Sequence, residues 1–397
     1  MSDRRSRFMR VLWGALALYE ILNFLFLSLL RALPPPILSR ELLNVAEGAG
    51  ILVMILPLWL VLSFREILPR VRILSRIFFL WYFILGAFWV GAIPGMLLVS
   101  LARGSRSTYP GLISESALAG GLLLTGALFV LSLRARFLPP RIIRKTLTFD
   151  GLDPRLSGTT ILHLSDLHVG AWQGEARLRT FAGMVRDLSP DILAITGDVV
   201  DHREEEGEIF ERIFSPLSGR IGTVAVLGNH EYWTLEEGAA EVMRRHGYPL
   251  LKNESRLLVT SGGGEIRVVG IDDPAGADYE SDCGPDLDKA LSGVRAGEFV
   301  LALVHQPTLW EGRLCETAHL TLSGHTHGGQ IGGHPPFPNL ASIFFRHSAG
   351  LFPSSAPASL GHFLHVSAGL GYYGIPVRVG MVPEMTLLTL LPTPKKG

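Results

Sequence analysis

Residues 159–168 read TTILHLSDLH, a short β-rich apolar run that stops on an aspartate and a histidine two positions apart. The pattern recurs along the chain. Residues 192–201 read ILAITGDVVD, 223–231 TVAVLGNHE, 299–305 FVLALVH and 319–327 HLTLSGHTH. Each apolar run has the length and composition of a strand, and each ends on side chains that can bind a metal. Further strand candidates are Ile266–Ile271, Phe363–Val366 and Met385–Leu390. Between the first two runs lies Glu175–Leu188, with Leu178, Phe181, Met184, Val185 and Leu188 at helical spacing. This β–α–β alternation predicts an α/β domain of packed sheets flanked by helices. Ligands of open α/β sheets gather beyond the carboxyl ends of strands, so residues some 160 positions apart can meet at one site.

The chemistry follows from what the strand ends carry. Residues two apart in extended chain point to the same side, so Asp166 and His168 can share one target. Gly197, Gly228 and Gly324 permit tight turns and close backbone approach. Carboxylate, imidazole and carboxamide oxygen form a mixed ligand set that suits Mn, Fe or Zn better than calcium. There are enough ligands for two divalent ions sharing one carboxylate. Such a pair, at roughly 3.5–4 Å separation, can bridge a hydroxide and clamp both oxygens of an in-line displacement.

The ordered series DxH, GDxxD, GNHE, a lone His and GHTH resembles the calcineurin-like metallophosphoesterase family, over about Thr146 to Leu391. The extended form Gly324-His-Thr-His-Gly-Gly-Gln-Ile331 narrows the resemblance, as does the ending Gly369-Leu-Gly…Pro376-Val-Arg378…Pro383-Glu384. Both look like the branch containing the YkuE, YaeI and LpxG type enzymes, some of which act on UDP-2,3-diacylglucosamine. The resemblance implies a sandwich of two packed β-sheets flanked by helices. It assigns Asp166, His168 and His327 to one metal and Asn229, His305 and His325 to the other, with Asp198 bridging. His230 is implied to lie outside the metal shell and protonate the leaving oxygen, with Asp201 orienting its ring. Asp201 and Glu231 both neighbour imidazoles that they can steer.

The N-terminal part reads differently. Four apolar stretches, approximately Phe8–Leu30, Gly48–Phe64, Ile77–Ala102 and Ala117–Leu133, approach the roughly 20 residues of helix needed to cross a bilayer. The expected organisation is a four-helix transmembrane region over 1–133, a basic linker over 134–145 and the phosphoesterase domain over 146–397. With the N-terminus inside, 13 Lys and Arg residues fall on the inner side and 4 on the outer. The expectation is therefore a multi-pass cell-membrane protein with its catalytic domain facing the cytoplasm. Glu20 sits within the first stretch, either near the end of a packed anchor or lining a cavity.

Zero formal net charge conceals a split: the first 146 residues carry a balance of +11 and the remainder −11. An acidic catalytic half disfavours a nucleic-acid partner, because polyphosphate backbones are bound by clustered Lys and Arg. The two cysteines, Cys283 and Cys315, are isolated, so neither a disulfide framework nor a thiolate zinc site is indicated. His163 and His365 read as structural, Asp272-Asp273-Pro274 as a turn, and the acidic run 204–208 as a solvated helix start. Residues 332–361 read as a long loop whose Phe337, Ile343, Phe344, Phe345, Leu351 and Phe352 either contact lipid or pack on their own domain.

The leading expectation is a two-metal hydrolase of a phosphodiester or pyrophosphate bond in a lipid-linked substrate. The alternatives are a phosphomonoesterase or protein phosphatase, a non-catalytic metal-binding membrane scaffold, and a transporter built from the spans. A non-ligand imidazole at His230 favours an enzyme over a scaffold.

Overall fold

A computed structural model describes residues 21, 123–131, 138–170, 173–201, 204–233, 249–278, 283–354, 361–373 and 376–394. The chain divides into two units, Met1–Phe129 and Val130–Gly397. Residues 123–131, within the fourth apolar stretch, are helical. Among the described residues no helix is long and apolar enough to cross a membrane. Apart from residue 21, the other three stretches lie outside the described residues, as do the orientation drawn from their arginines and the setting of Glu20.

The second unit is built on two mixed sheets. In the first, β1 (Arg141–Phe149), β11 (Glu384–Pro392), β2 (Thr160–Leu164), β3 (Ile192–Thr196) and β4 (Gly222–Val226) lie side by side in that order. In the second, the order is β5 (Glu254–Val259), β6 (Glu265–Gly270), β7 (Phe299–Leu303), β8 (Leu320–Ser323), β10 (Phe363–Val366) and β9 (Gly350–Pro353). Strands β2, β3 and β4 are mutually parallel, as are β6, β7, β8 and β10. The carboxyl ends that carry the motifs therefore share one edge within each sheet.

Apolar residues cover both faces of the central strands. Ile161, Ile192, Ala194, Val224 and Val226 meet Ile266, Val268, Leu301, Leu303, Leu320 and Leu322 between the sheets. On the far side of the first sheet, helices α1 (Glu175–Leu188) and α2 (Glu204–Phe214) pack Leu178, Phe181, Val185, Phe210 and Phe214 against Leu162, Leu164, Leu193 and Ile195. Helix α1 matches the periodicity reading end to end. The short helices α3 (Leu287–Leu291) and α4 (Arg313–Thr317) cover the second sheet through Ala290, Leu291 and Leu314. The result is the expected two-sheet sandwich flanked by helices.

Three strands depart from the sequence reading. Arg141–Lys145, read as the end of the basic linker, form the first half of β1, whose pairing with β11 buries Leu147 and Phe149. Strand β5 lies at the edge of its sheet and is mostly exposed, so its sequence carries a weak apolar signal. Strand β9 and a 3-10 turn at Leu340–Ile343 lie inside the stretch read as a long loop.

Candidate metal centre

The turns after the strands place the motif side chains, and they do so with unusual backbone. Asp166 (φ 52°), His168 (φ 46°), Asp198 (φ 50°), His325 (φ 71°) and His327 (φ 51°) are all left-handed. Only eight non-glycine residues among those described have positive φ, so the conformation is concentrated here. Asp and His tolerate it better than bulky or β-branched residues, at a cost of order 1–3 kcal/mol each. Asp166 and His168 do share a target, but through left-handed turns rather than the alternation of extended chain. The glycines act as expected. A Cβ at Gly228 would run into Asp198, and one at Gly324 into Ser165 and Asp166.

Seven side chains converge as two groups. In the first, His327 Nε2 lies 3.0 Å from His168 Nε2 and 3.3 Å from Asp166 Oδ1. In the second, His325 Nδ1 lies 2.8 Å from Asn229 Oδ1 and 3.2 Å from His305 Nε2, which is itself 3.2 Å from Asn229 Oδ1. Asp198 joins them: its Oδ2 lies 3.2 Å from His305 Nε2 and 3.7 Å from His168 Nε2. These spacings fit ions. Donor atoms bound at about 2.0–2.2 Å around one cation stand roughly 3–3.5 Å apart.

Electrostatics supports the fit. Burial opposes ionisation of Asp198, yet His305 and His230 hold its carboxyl well below the usual range. Burial also opposes charge on His305, but Asp198 and Asp166 raise its pKa well above that of a free imidazole. Burial pushes His325 down to about 3 and His327 to about 4, so both rings are neutral at pH 7 and have lone pairs to offer.

A second layer fixes the first. His305 Nδ1 donates to the Thr196 carbonyl at 2.7 Å, which leaves Nε2 as the lone-pair nitrogen. Asp201 Oδ1 lies 2.9 Å from His168 Nδ1, so its carboxylate orients His168. The main-chain carbonyl of Asp201, 3.0 Å from His230 Nδ1, is what meets the His230 ring. Asp201 thus meets His230 through its backbone and His168 through its side chain. His230 itself is buried, with its backbone N–H donating to Asp198 Oδ1 at 2.9 Å and its ring edge-on to His168.

Glu231 was expected to steer an imidazole. Instead its carboxylate accepts from the backbone N–H groups of Asp198, Val199, Val200 and Gly228, pinning the GDxxD and GNHE turns together. Burial first, and the Asp198 charge next, push its pKa up to about 7 against the pull of those donors. Glu206, from the acidic run, is buried rather than solvated, and accepts from the Asp201 N–H at 3.1 Å.

Two residues at the centre had no role in the sequence reading. Tyr373 is half exposed, with its ring centroid 5.8 Å from that of His230 and 6.3 Å from that of His327. Arg378, quoted above only as part of a motif, is fully buried. Its guanidinium donates to the carbonyls of Gly371, Ala368 and Met381, and its Nη2 lies 3.0 Å from His327 Nδ1. An N–H there donates, so Nδ1 is the accepting nitrogen of this contact. Asp272 and Asp273 remain a turn: Asp272 takes the Tyr232 hydroxyl and Asp273 the Ala275 N–H. His163 and His365 are structural, joined Nδ1 to Nδ1 at 2.9 Å across the two sheets.

Comparison with known proteins agrees with this geometry. The sequence model of the family described as "Calcineurin-like phosphoesterase" matches residues 159–329. A Danio rerio protein, "Transmembrane protein with metallophosphoesterase domain", is 30% identical over 302 residues, covering 75% of this chain and 67% of its own. A Bos taurus protein of the same name is 33% identical over 285 residues, covering 69% of this chain and 62% of its own. "Uncharacterized metallophosphoesterase YkuE" of Bacillus subtilis (strain 168) is 27% identical over 286 residues, covering 70% and 94%. The alignments thus span only 62–67% of the two transmembrane relatives.

Proposed function

Because this chain belongs to the calcineurin-like phosphoesterase family, we propose that it is a membrane-anchored hydrolase of a phosphodiester or pyrophosphate bond in a lipid-linked substrate. A substrate of the UDP-2,3-diacylglucosamine type, met at the inner face of the cell membrane, fits the resemblance and the arginine distribution. The observation that carries the reading is Asp198 Oδ2, placed between two ligand groups with a further imidazole, His230, beside them.

Asp166, His168 and His327 would hold one divalent cation, and Asn229, His305 and His325 the other, with Asp198 between them. Two such cations supply positive charge beside a phosphoryl group and make water more acidic. The rest falls to the chain. Asp201 and Thr196 fix the tautomers of His168 and His305, so their lone pairs face inward. With Nδ1–H of His230 donating to the Asp201 carbonyl, Nε2 is left to exchange a proton with the leaving oxygen. The acidic domain surface disfavours nucleic acid as a substrate.

His230→Ala is expected to keep its metal, read by elemental analysis, while losing most hydrolysis of bis(p-nitrophenyl) phosphate. Asp198→Asn is expected to lose metal as well. Unchanged hydrolysis by both variants would reject this site.

A further inference from the structure

Past the last metal motif the chain makes a rigid apolar ridge on the surface. Phe337, Leu340, Ile343 and Phe344 are 71, 46, 69 and 73% exposed. Four large apolar side chains exposed within eight residues mark an interaction surface. The exposure is built in. Asn339 caps the 3-10 turn by accepting from Ser342 N–H, and its amide donates to Ser348 Oγ at 3.0 Å. Ala341 points inward and is buried, and the Thr326 hydroxyl bonds the Ser348 carbonyl. Gly329, at φ 62°, leaves room for Leu340 and Ala341 against the GHTHGG turn. Leu351 and Phe352, read earlier with this set, pack instead against the body of the domain.

Charge identifies the partner. From Thr317 to Pro383 the sequence contains no Asp or Glu, although 30 carboxylates follow Thr146. The segment that carries the ridge adds the exposed Arg346, 3.5 Å from Glu311, and no carboxylate of its own, so it repels an anionic surface less than the acidic remainder of the domain. The same chain carries apolar stretches of bilayer length before Thr146.

We propose that the ridge Phe337–Phe344 docks in the headgroup and acyl boundary of the bilayer and brings the metal centre to the lipid surface. Phe345, next to the ridge, lies edge-on to His325 with ring centroids 5.7 Å apart, so a phosphate at the boundary is within reach of the metal ligands. This deepens the lipid-substrate reading and rests on it only for what is hydrolysed.

The test uses the full chain in nanodiscs of phosphatidylcholine and phosphatidylglycerol. A spin label is placed at Phe344→Cys, or at Glu205→Cys on α2 as a control, in a Cys283→Ser, Cys315→Ser background. The label at 344 is expected to be reached by oxygen and shielded at least fivefold from chromium oxalate relative to 205. Equal chromium access at both positions overturns the proposal. So does strong dipolar broadening between labels at 344, which would mean that a second chain covers the ridge. In a second arm, Phe337→Ser, Ile343→Ser and Phe344→Ser are combined. Hydrolysis of bis(p-nitrophenyl) phosphate should be unchanged, and the KM for UDP-2,3-diacylglucosamine in mixed micelles should rise at least tenfold. Equal losses on both substrates count against docking. If the unmodified protein leaves the lipid intact, the substrate reading fails, and the label accessibility alone decides the docking.

Discussion

Replacing Glu231 by glutamine tests whether the two central turns are held by one carboxylate. One oxygen accepts from Val199 N–H at 2.7 Å and Val200 N–H at 3.3 Å, the other from Gly228 N–H at 2.6 Å and Asp198 N–H at 2.9 Å. An amide has one acceptor oxygen, so in either orientation its NH2 group faces two buried N–H donors. Leaving a buried donor unsatisfied costs about 1–3 kcal/mol. Two donors, with some relaxation, put Glu231→Gln on the order of 3 kcal/mol below the parent. At roughly 2–4 °C per kcal/mol for a domain of this size, Tm should fall by about 6–12 °C. Because Asp198 N–H is one of the donors, the bridging carboxylate shifts too, and metal affinity should drop about 10- to 100-fold. Calorimetry of the metal-stripped chain gives the first quantity and manganese titration the second. A glutamine variant with Tm within about 1 °C of the parent and unchanged metal affinity would refute the clamp.

Three other outcomes follow from buried contacts. Burial lowers His163 and His365 to about 3 from an ordinary value of 6.5, so between those limits the unfolded chain binds more protons than the folded one. Stability from each ring is complete above about pH 7 and lost as pH falls, by about 2 kcal/mol per ring between pH 7 and pH 5. Urea midpoints of His163→Phe should depend less on pH than those of the parent, and parallel curves would contradict this. Arg378→Met leaves the carbonyls of Gly371, Ala368 and Met381 without their donor and frees His327, so Tm and metal stoichiometry should both fall. Arg378→Lys should rescue little, since one ammonium cannot reproduce the fork. Gly324→Ala, which puts a methyl against Ser165 and Asp166, should lose metal, whereas Gly174→Ala, with nothing near its Cβ, should bind normally.

Strands buried on both faces announce themselves. All five residues of β3 are buried, as are all five of β7, and a continuous apolar run leaves little else to read. Signals fail where tertiary pairing supplies what the local sequence lacks. In β1 the charges of Arg141, Arg144 and Lys145 look like a linker, yet parallel pairing with β11 requires only that Leu147 and Phe149 turn inward. Glu206 looks like one of a row of solvated acids. Only the fold shows that it faces the Asp201 N–H while Glu205 and Glu208 face water.

The site divides along the same line. Motifs name ligands, because carboxylate and imidazole at strand ends have few other uses in such number. They do not show how the ligands come to face each other, and here the extended-chain argument reaches the right pair by the wrong geometry. Five left-handed residues at about 1–3 kcal/mol each amount to a strain comparable with the whole stability of a domain. Such strain persists only if the surroundings over-determine it. The bonds that do so run between motifs rather than within them: Asp166 N–H to the Gly197 carbonyl, His168 N–H to the Asp198 carbonyl, Gly371 N–H to the Asp166 carbonyl, and His325 N–H to the Asp166 carboxylate. A reader of one motif at a time sees residues and no reason for their conformation. Once the turns are joined, each ligand is held in place by a neighbour's backbone, and a cation meets donors that need little further ordering.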